Sequence, residues 1–396
     1  MNKSTHFSGH PIIKQLLQYI DRGLITRTAQ VWQVDRYYKR FKTYNHLVTM
    51  LFAALSGVSS LRELSSVMLA CVGKINHLNM QHFPRRSTIS DGNANRPSEL
   101  FAEIYHRLLK RYRGFLSDSS PRKPVVKDLL IIDFTTISLF SDILKGPGRP
   151  PLTGKKKGGI KLHTMINVLE DLPQLVRFSS AACHDHTFFL QLKLKEGSFV
   201  VFDKGYTDYS QYHQWSQDDV YFVTRQKDNT AYHSAGEYDI EDSIDPEVIK
   251  DKQIVVAKDN QQVRLRRIAY YHATQDRTYI FLTNNHQMSA DKIAQIYKNR
   301  WQIESMFKRL KQNFPLMYFL GDTQKAIEIQ IWVSLIAQLL MLVVQRKAQR
   351  RLASNMVGVI RYHLTSYIDL FSFLRDPEQS WRQLTTKPPD QLTLFG

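Results

Sequence analysis

The sequence predicts an α/β protein in which a mixed β-sheet follows a helical N-terminal part and carries a β-rich insertion ahead of a long amphipathic helix. Three observations predict it. Apolar residues recur at helical spacing through the first 120 residues, then switch to β-type runs beyond a Ser/Pro-rich linker. The β-type runs are first joined by loops and later alternate with helical patterns. A chain of 396 residues with 43% hydrophobic content can bury a full core divided over two or three domains.

Residues 1–120 read as mostly helical. Pro11 to Ile20 is a short amphipathic piece, and a basic, aromatic segment follows at Arg36-Tyr-Tyr-Lys-Arg-Phe-Lys42. His46 to Leu55 and Ser60 to Cys71 are apolar-periodic helices separated by Gly57. Pro84-Arg85-Arg86-Ser87-Thr88 leads through a polar stretch to Arg96-Pro97-Ser98 and a helix over Glu99 to Arg113. Short helices with basic joints suit a DNA-binding unit that sets one helix into the major groove, and a helical dimerisation unit has the same outline. Ser117 to Pro124 is a linker by composition.

Beyond it, Leu129-Leu-Ile-Ile-Asp-Phe134 is an apolar strand interrupted by Asp133. After a Gly/Pro/Lys-rich loop (Lys145 to Gly159), Ile160 to Val168 alternates at period two, and a turn at Glu170 to Pro173 leads into a strand over Gln174 to Ser179. These three form an antiparallel meander. A helix (His186 to Lys195), a buried strand (Ser198 to Asp203), a helix (Asp208 to Ser216) and a strand (Val220 to Gln226) follow. That order is the order of a ribonuclease-H-like mixed sheet. Residues 230–285 read as an insertion: an acidic stretch from Glu237 to Asp251, then β-type runs at Ile254 to Ala257, Gln262 to Tyr271 and Arg277 to Leu282. A helix from Ser289, its N-cap, to Asn313 comes next. Ile331 to Val344, an apolar run of 14 residues containing Ser334 and Gln338, is too short to span a bilayer and reads as a buried helix. The expected organisation is a helical N-terminal DNA-binding domain over 1–120, a ribonuclease-H-like domain over 125–345 with its insertion at 230–285, and a C-terminal helical segment of unassigned role over 346–396.

The 54 Lys and Arg against 36 Asp and Glu give a net charge of +18, and residues 1–124 hold 19 of the basic and 7 of the acidic side chains. A front-loaded positive field favours a polyanion, most commonly nucleic acid. Two distant cysteines, Cys71 and Cys183, exclude a disulfide framework and a thiolate zinc site and fit a reducing compartment. The N-terminus lacks the apolar core of a signal peptide, so a cytoplasmic protein without membrane association is expected.

The chemistry points to three acids. Asp133 sits late in the first strand and Asp203 at the end of the fourth, so adjacent first and fourth strands would bring both to one sheet edge. On a continuous helix Tyr297, Arg300, Glu304 and Lys311 fall within an arc of roughly 60°, beside the apolar stripe of Ile296, Ile303, Phe307 and Leu310. Glu304 would then complete the cluster from a helix packed across that edge. Three converging carboxylates need a counter-charge, and hard oxygen donors select Mg²⁺ or Mn²⁺ over zinc. Each acid also has a plainer reading: Glu304 in solvated ion pairs with Arg300 and Lys308, Asp203 as the cap of the next turn. Asp133 is harder to explain that way, because an unpaired buried carboxylate is costly. His184-Asp185-His186 is a competing metal candidate.

The motifs around these acids resemble those of DDE-class bacterial insertion-sequence transposases, in the group called the insertion-sequence-four family. Its Tyr-x2-Arg-x3-Glu-x6-Lys signature is matched by Tyr297, Arg300, Glu304 and Lys311. Its Ile-Asp-x-Thr-Thr-like strand is matched by Ile132-Asp133-Phe134-Thr135-Thr136, with Phe134 where many relatives have a small residue. Its Asp-x-Gly-Tyr motif is matched by Asp203-Lys204-Gly205-Tyr206. The resemblance implies a transposase that binds terminal inverted repeats, cleaves strands and transfers a 3′-hydroxyl to target DNA. It implies Asp133, Asp203 and Glu304 as ligands of two Mg²⁺ ions, with Mn²⁺ as substitute. Tyr297, Arg300 and Lys311 would contact double-stranded DNA, and Lys204, Lys161, Arg225, Arg149, Lys155 and Lys156 are further candidates. It also implies a homodimer on DNA, and an insertion that grips the transposon end, with Tyr270, Tyr271 or Tyr279 available to stack on a base. A decayed, non-catalytic DNA binder and a stand-alone nuclease on the same fold are the alternatives.

Overall fold

A computed structural model describes residues 9–71, 73–138, 159–180, 185–238, 246–258, 261–314, 316–349 and 354–375. Six helices come first: α1 (Ile12–Leu17), α2 (Arg22–Val31), α3 (Thr43–Ser56), α4 (Leu61–Ala70), α5 (Arg86–Asn95) and α6 (Ser98–Asp118). Then come β1 (Leu129–Ser138), β2 (Gly159–Asn167), β3 (Pro173–Ser180), β4 (Phe199–Phe202), α7 (Tyr209–Gln217) and β5 (Tyr221–Arg225). The strands β6 (His233–Glu237), β7 (Val248–Lys258), β8 (Gln261–His272) and β9 (Arg277–Thr283) follow. The helices α8 (Ala290–Lys298), α9 (Trp301–Asn313), α10 (Gln324–Lys347), α11 (Ser354–His363) and α12 (Leu370–Arg375) close the order. The chain divides into two compact units, one formed by Met1–Ser119 with Leu310–Gly396 and the other by Ser120–Arg309.

In the first unit, α10 packs on α3 and α6. It is longer than the apolar run alone predicts because Glu328 and Gln330, ahead of that run, are satisfied inside the unit. Glu328 accepts from Ser98 Oγ at 2.5 Å, and Gln330 accepts from the Leu320 amide and donates to the Tyr318 carbonyl, at 2.8 and 2.7 Å. By length and composition α10 could cross a membrane, but its most apolar window is 94% buried within the protein. The α3–α4 corner forms as the sequence suggests. Gly57 takes a left-handed φ of 76°, open to glycine at little cost, and Ser60 caps α4 by accepting from the Glu63 amide at 3.1 Å.

α5 forms where the sequence reads as a polar loop, because its residues serve a buried polar network. His46 Nε2 meets Asn93 Oδ1 at 2.7 Å, and Arg96 Nη1 approaches His46 Nδ1 at 3.1 Å. A guanidinium can only donate, so Nδ1 accepts and the proton of the neutral ring sits on Nε2. Burial first, then the Arg96 charge, lower the His46 pKa to about 3 against the opposing Asn93 bond. The sign follows from linkage. Below pH 6.5 the unfolded chain takes up a proton that folded His46 refuses, so stability present above that pH falls by roughly 1.4 kcal/mol per unit as the pH drops toward the folded value. Urea unfolding between pH 6.5 and 4 is therefore expected to show a shallower stability loss in His46→Gln than in the wild type. Parallel slopes would contradict the buried neutral ring.

The second unit is built on one nine-stranded mixed sheet of order β3-β2-β1-β4-β5-β9-β8-β7-β6. β1 pairs antiparallel with β2 and parallel with β4, and β4 pairs parallel with β5. The insertion strands join through β9, which runs antiparallel to β5, so they extend this sheet. Three local expectations differ. The helix expected over His186 to Lys195 is a 3₁₀ segment, Asp185–Gln191. The adjacent rings of Phe188 and Phe189 are both buried there, one on His163 and the other on Tyr206. Asp133 lies mid-strand, since β1 continues to Ser138. The helix expected from Ser289 to Asn313 is two helices, and the Ser289 side chain makes no cap hydrogen bond.

Candidate active site

The β1–β4 register runs from Leu129↔Phe199 to Ile132↔Phe202. One step further along each strand stand Asp133 and Asp203. Asp203 has left the sheet and starts a 3₁₀ turn over Lys204–Tyr206, which its side chain does not cap. The apolar flanks explain the placement: all four residues of β4 are buried, so the carboxylate that follows them emerges where the strand ends.

Between α8 and α9 the amides of Asn299, Arg300, Gln302 and Ile303 bond three residues back, to Ile296, Tyr297, Asn299 and Arg300. This tightened joint swings Arg300 inward, where it is 9% exposed. Its Nη1 donates to Asp133 Oδ2 at 3.2 Å and to Glu304 Oε1 at 2.6 Å, so one nitrogen holds acids from β1 and α9 together. The Arg300–Glu304 pair expected from spacing exists, but its cation is buried instead of solvated. Asp203 Oδ1 accepts from Arg225 Nη2 and Nε at 2.8 and 3.2 Å and lies 3.5 Å from the Tyr297 hydroxyl. Tyr297 is held by its ring against Phe281, 4.8 Å between centroids.

The electrostatics match this geometry. Burial pushes the Asp133 carboxyl up to about 6, Asp203 and Glu304 add to the rise, and the Phe134 amide and Arg300 oppose it. Burial also acts on Asp203, but Arg225 and Arg300 outweigh it and leave that carboxyl below its ordinary value. Burial raises the Tyr297 hydroxyl to about 12, so it stays a hydrogen-bond donor. Among the described residues, no three His, Cys, Asp or Glu side chains are gathered tightly enough to hold a metal as they stand. The guanidiniums of Arg300 and Arg225 stand against these carboxylates. The donor chemistry itself, carboxylate oxygen throughout with a residual need for positive charge, fits a hard divalent cation.

The other expected contacts are spread more widely. Lys161 lies over the Phe134 ring at 4.8 Å, and Lys204 pairs with the exposed Asp228 at 3.3 Å. Lys311 is exposed in the last turn of α9. Arg149, Lys155, Lys156 and His184 lie outside the described residues. Tyr270 is 1% exposed and thus unavailable for base stacking, while Tyr271 is exposed and Tyr279 half-buried. His163, buried between β1 and β3, carries hydrogen bonds that sequence reasoning missed. Its only signal was a histidine at an inward position of an alternating strand.

The family model of the transposase DDE domain matches residues 125–340, and that of a domain of unknown function, DUF4372, matches residues 8–81. The chain belongs to the DDE transposase family. A Sinorhizobium fredii protein named as transposase y4zB is 29% identical over 66% of this chain and 72% of its own length. A Geobacillus stearothermophilus protein named as a transposase for insertion sequence element IS5377 is 25% identical over 68% and 72%. A Synechocystis protein named as a transposase for insertion sequence element IS4SA is 25% identical over 70% and 76%. The protein is thus an insertion-sequence transposase, an enzyme that cleaves and transfers DNA strands and requires a divalent metal.

Proposed function

We propose that Asp133, Asp203 and Glu304 are the acidic triad of this transposase and hold two Mg²⁺ ions, replaceable by Mn²⁺, and that the core is ribonuclease-H-like. The observation that carries the assignment is the shared Arg300 nitrogen between Asp133 and Glu304, with Asp203 one step beyond the paired strands. Such ions, when bound, activate a water or 3′-hydroxyl and stabilise the leaving oxygen of a phosphodiester. The chain's own residues position the DNA. Arg300 and Arg225 can grip a phosphate through two nitrogens, Tyr297 donates one hydrogen bond, and Lys311, Lys204 and Lys161 act as point charges. Membership of the insertion-sequence-four group, recognition of terminal inverted repeats and a homodimer on DNA belong to the same reading. Incubating a pre-cleaved end with Mn²⁺ and excess target DNA is expected to yield joined product. Hydrolysis without joining would favour a nuclease, and no reaction a non-catalytic binder.

Non-specific DNA affinity is assigned to the helical N-terminal region, above all to the segment after α2. Arg36, Tyr37, Lys39, Arg40 and Lys42 are exposed, and among the described residues these four cations have no ion pair. The segment is pinned from behind. Asp35 accepts from the Thr43 amide and hydroxyl at 2.8 and 2.9 Å, Arg96 donates to the Phe41 carbonyl, and Trp32 Nε1 donates to Glu103 at 2.5 Å. Replacing Arg36, Lys39 and Arg40 together by Gln is expected to flatten the salt dependence of DNA binding by about 3 counterions, with folding unchanged. An unaltered slope would move the DNA surface elsewhere.

A further inference from the structure

We infer that His163 is a positioning residue for the Asp203 turn and acts through the hydroxyl of Tyr206; this rests on the reading of Asp203 as a metal ligand. Asp203 is poorly anchored by its own strand. β4 has only four residues, and its pairing with β1 ends at Phe202. The turn that follows closes on itself through the Tyr206 amide and the Asp203 carbonyl at 3.0 Å, which shapes it without tying it to the sheet. The tie is Tyr206. Its side chain is fully buried, its ring stacks on Phe189 at 5.4 Å, and its hydroxyl lies 3.2 Å from His163 Nδ1.

His163 is well placed for that task. It stands on β2 directly across from Phe134, the residue after Asp133. Its Nε2 meets Ser179 Oγ on β3 at 2.9 Å, and its ring stacks on Phe188 at 5.5 Å. A neutral imidazole has one donor and one acceptor nitrogen, so Ser179, His163 and Tyr206 form one directed chain in either tautomer. A buried hydroxyl that loses its partner is costly, so the three side chains keep the same heavy-atom arrangement whichever way the protons run. It links the turn bearing Asp203 sideways to the strand that neighbours Asp133. The spacing of two acids on different strands is thereby fixed by a hydrogen bond that touches neither.

Two variants test this in the full-length protein. Tyr206→Phe keeps the ring on Phe189 and removes the hydroxyl. His163→Phe keeps a flat ring on Phe188 and removes both hydrogen bonds. Mn²⁺ titration followed by electron paramagnetic resonance, without DNA, reads the effect directly. Each variant is expected to weaken Mn²⁺ binding about tenfold, the usual scale for groups that orient a ligand. The double variant should be no weaker than the weaker single one, because both break the same link. Unchanged Mn²⁺ affinity in both single variants, whatever their melting temperature, would overturn the inference, and so would two losses that multiply. Asp203→Asn, titrated alongside, separates the levels. If it binds Mn²⁺ like the wild type, the ligand assignment itself falls; if it alone loses affinity, only the role of His163 does.

Discussion

Asp133→Asn, Asp203→Asn and Glu304→Gln are each expected to lower DNA-end cleavage by about 10²–10³-fold or more, on the scale of losing a group that acts in the transition state. The expectation is strongest for Asp133. Its carboxyl is buried, already raised to about 6, and held by one amide and one guanidinium, so it stays charged only through its neighbours. The amide is isosteric and keeps one oxygen for the Phe134 amide at 2.8 Å, so the strand should survive. End binding without metal should persist, because the cationic residues are untouched. A labelled end fragment with Mg²⁺ measures cleavage and a mobility shift measures binding; efficient cleavage by any of the three variants would refute the triad.

Arg96→Ala is expected to destabilise the protein by about 3–5 kcal/mol, the cost of removing one partner from a buried charged network. Arg96 is 1% exposed, and its guanidinium serves the Phe41 carbonyl, His46 and Asp35 while lying 4.1 Å from the Tyr38 ring. Truncation would leave the Phe41 carbonyl and His46 Nδ1 without this donor and open a cavity. Burial lowers the Arg96 pKa despite Asp35, and its Nε has no partner among the described residues, so the charge itself is expensive to keep inside. Arg96→Met, which fills the volume without the charge, should cost clearly less. Urea denaturation of both variants decides the matter. A loss under about 1 kcal/mol in Arg96→Ala would place it among ordinary surface changes.

What could be read in advance follows the regularity of the elements. Period-two alternation in Ile160 to Val168 and the all-apolar β4 located the strands and put two aspartates at neighbouring strand positions. The α8–α9 joint was not legible, because a two-residue tightening leaves the apolar spacing almost intact while it re-aims Arg300. α5 escaped for another reason. Arg86 to Asn95 has few apolar residues, and its helix is stabilised by contacts with residues distant in sequence: Asn93 bonds His46 and the Leu320 carbonyl, while Gly92 leaves room for Phe41. Periodicity reports which face is oily and says nothing of a helix held by buried polar bonds. The tie through His163 was hidden likewise, since two histidine–hydroxyl contacts leave no pattern along the chain.

The seam between β5 and β9 bears on any attempt to trim the protein. Three register pairs form it, one of them Arg225↔Phe281, with one further bond from the Gln226 amide to the Ile280 carbonyl at 2.9 Å. Arg225 is the residue that grasps Asp203, and Phe281 is the surface on which Tyr297 rests. Excising residues 230–285 as though they were an appendage would strip β5 to a raw edge, inviting another chain to zip onto it. It would also pull the backing from both groups that touch Asp203. A minimal catalytic fragment must therefore keep β9, and evolution, paring this sheet from its outer rim, meets the same stopping point.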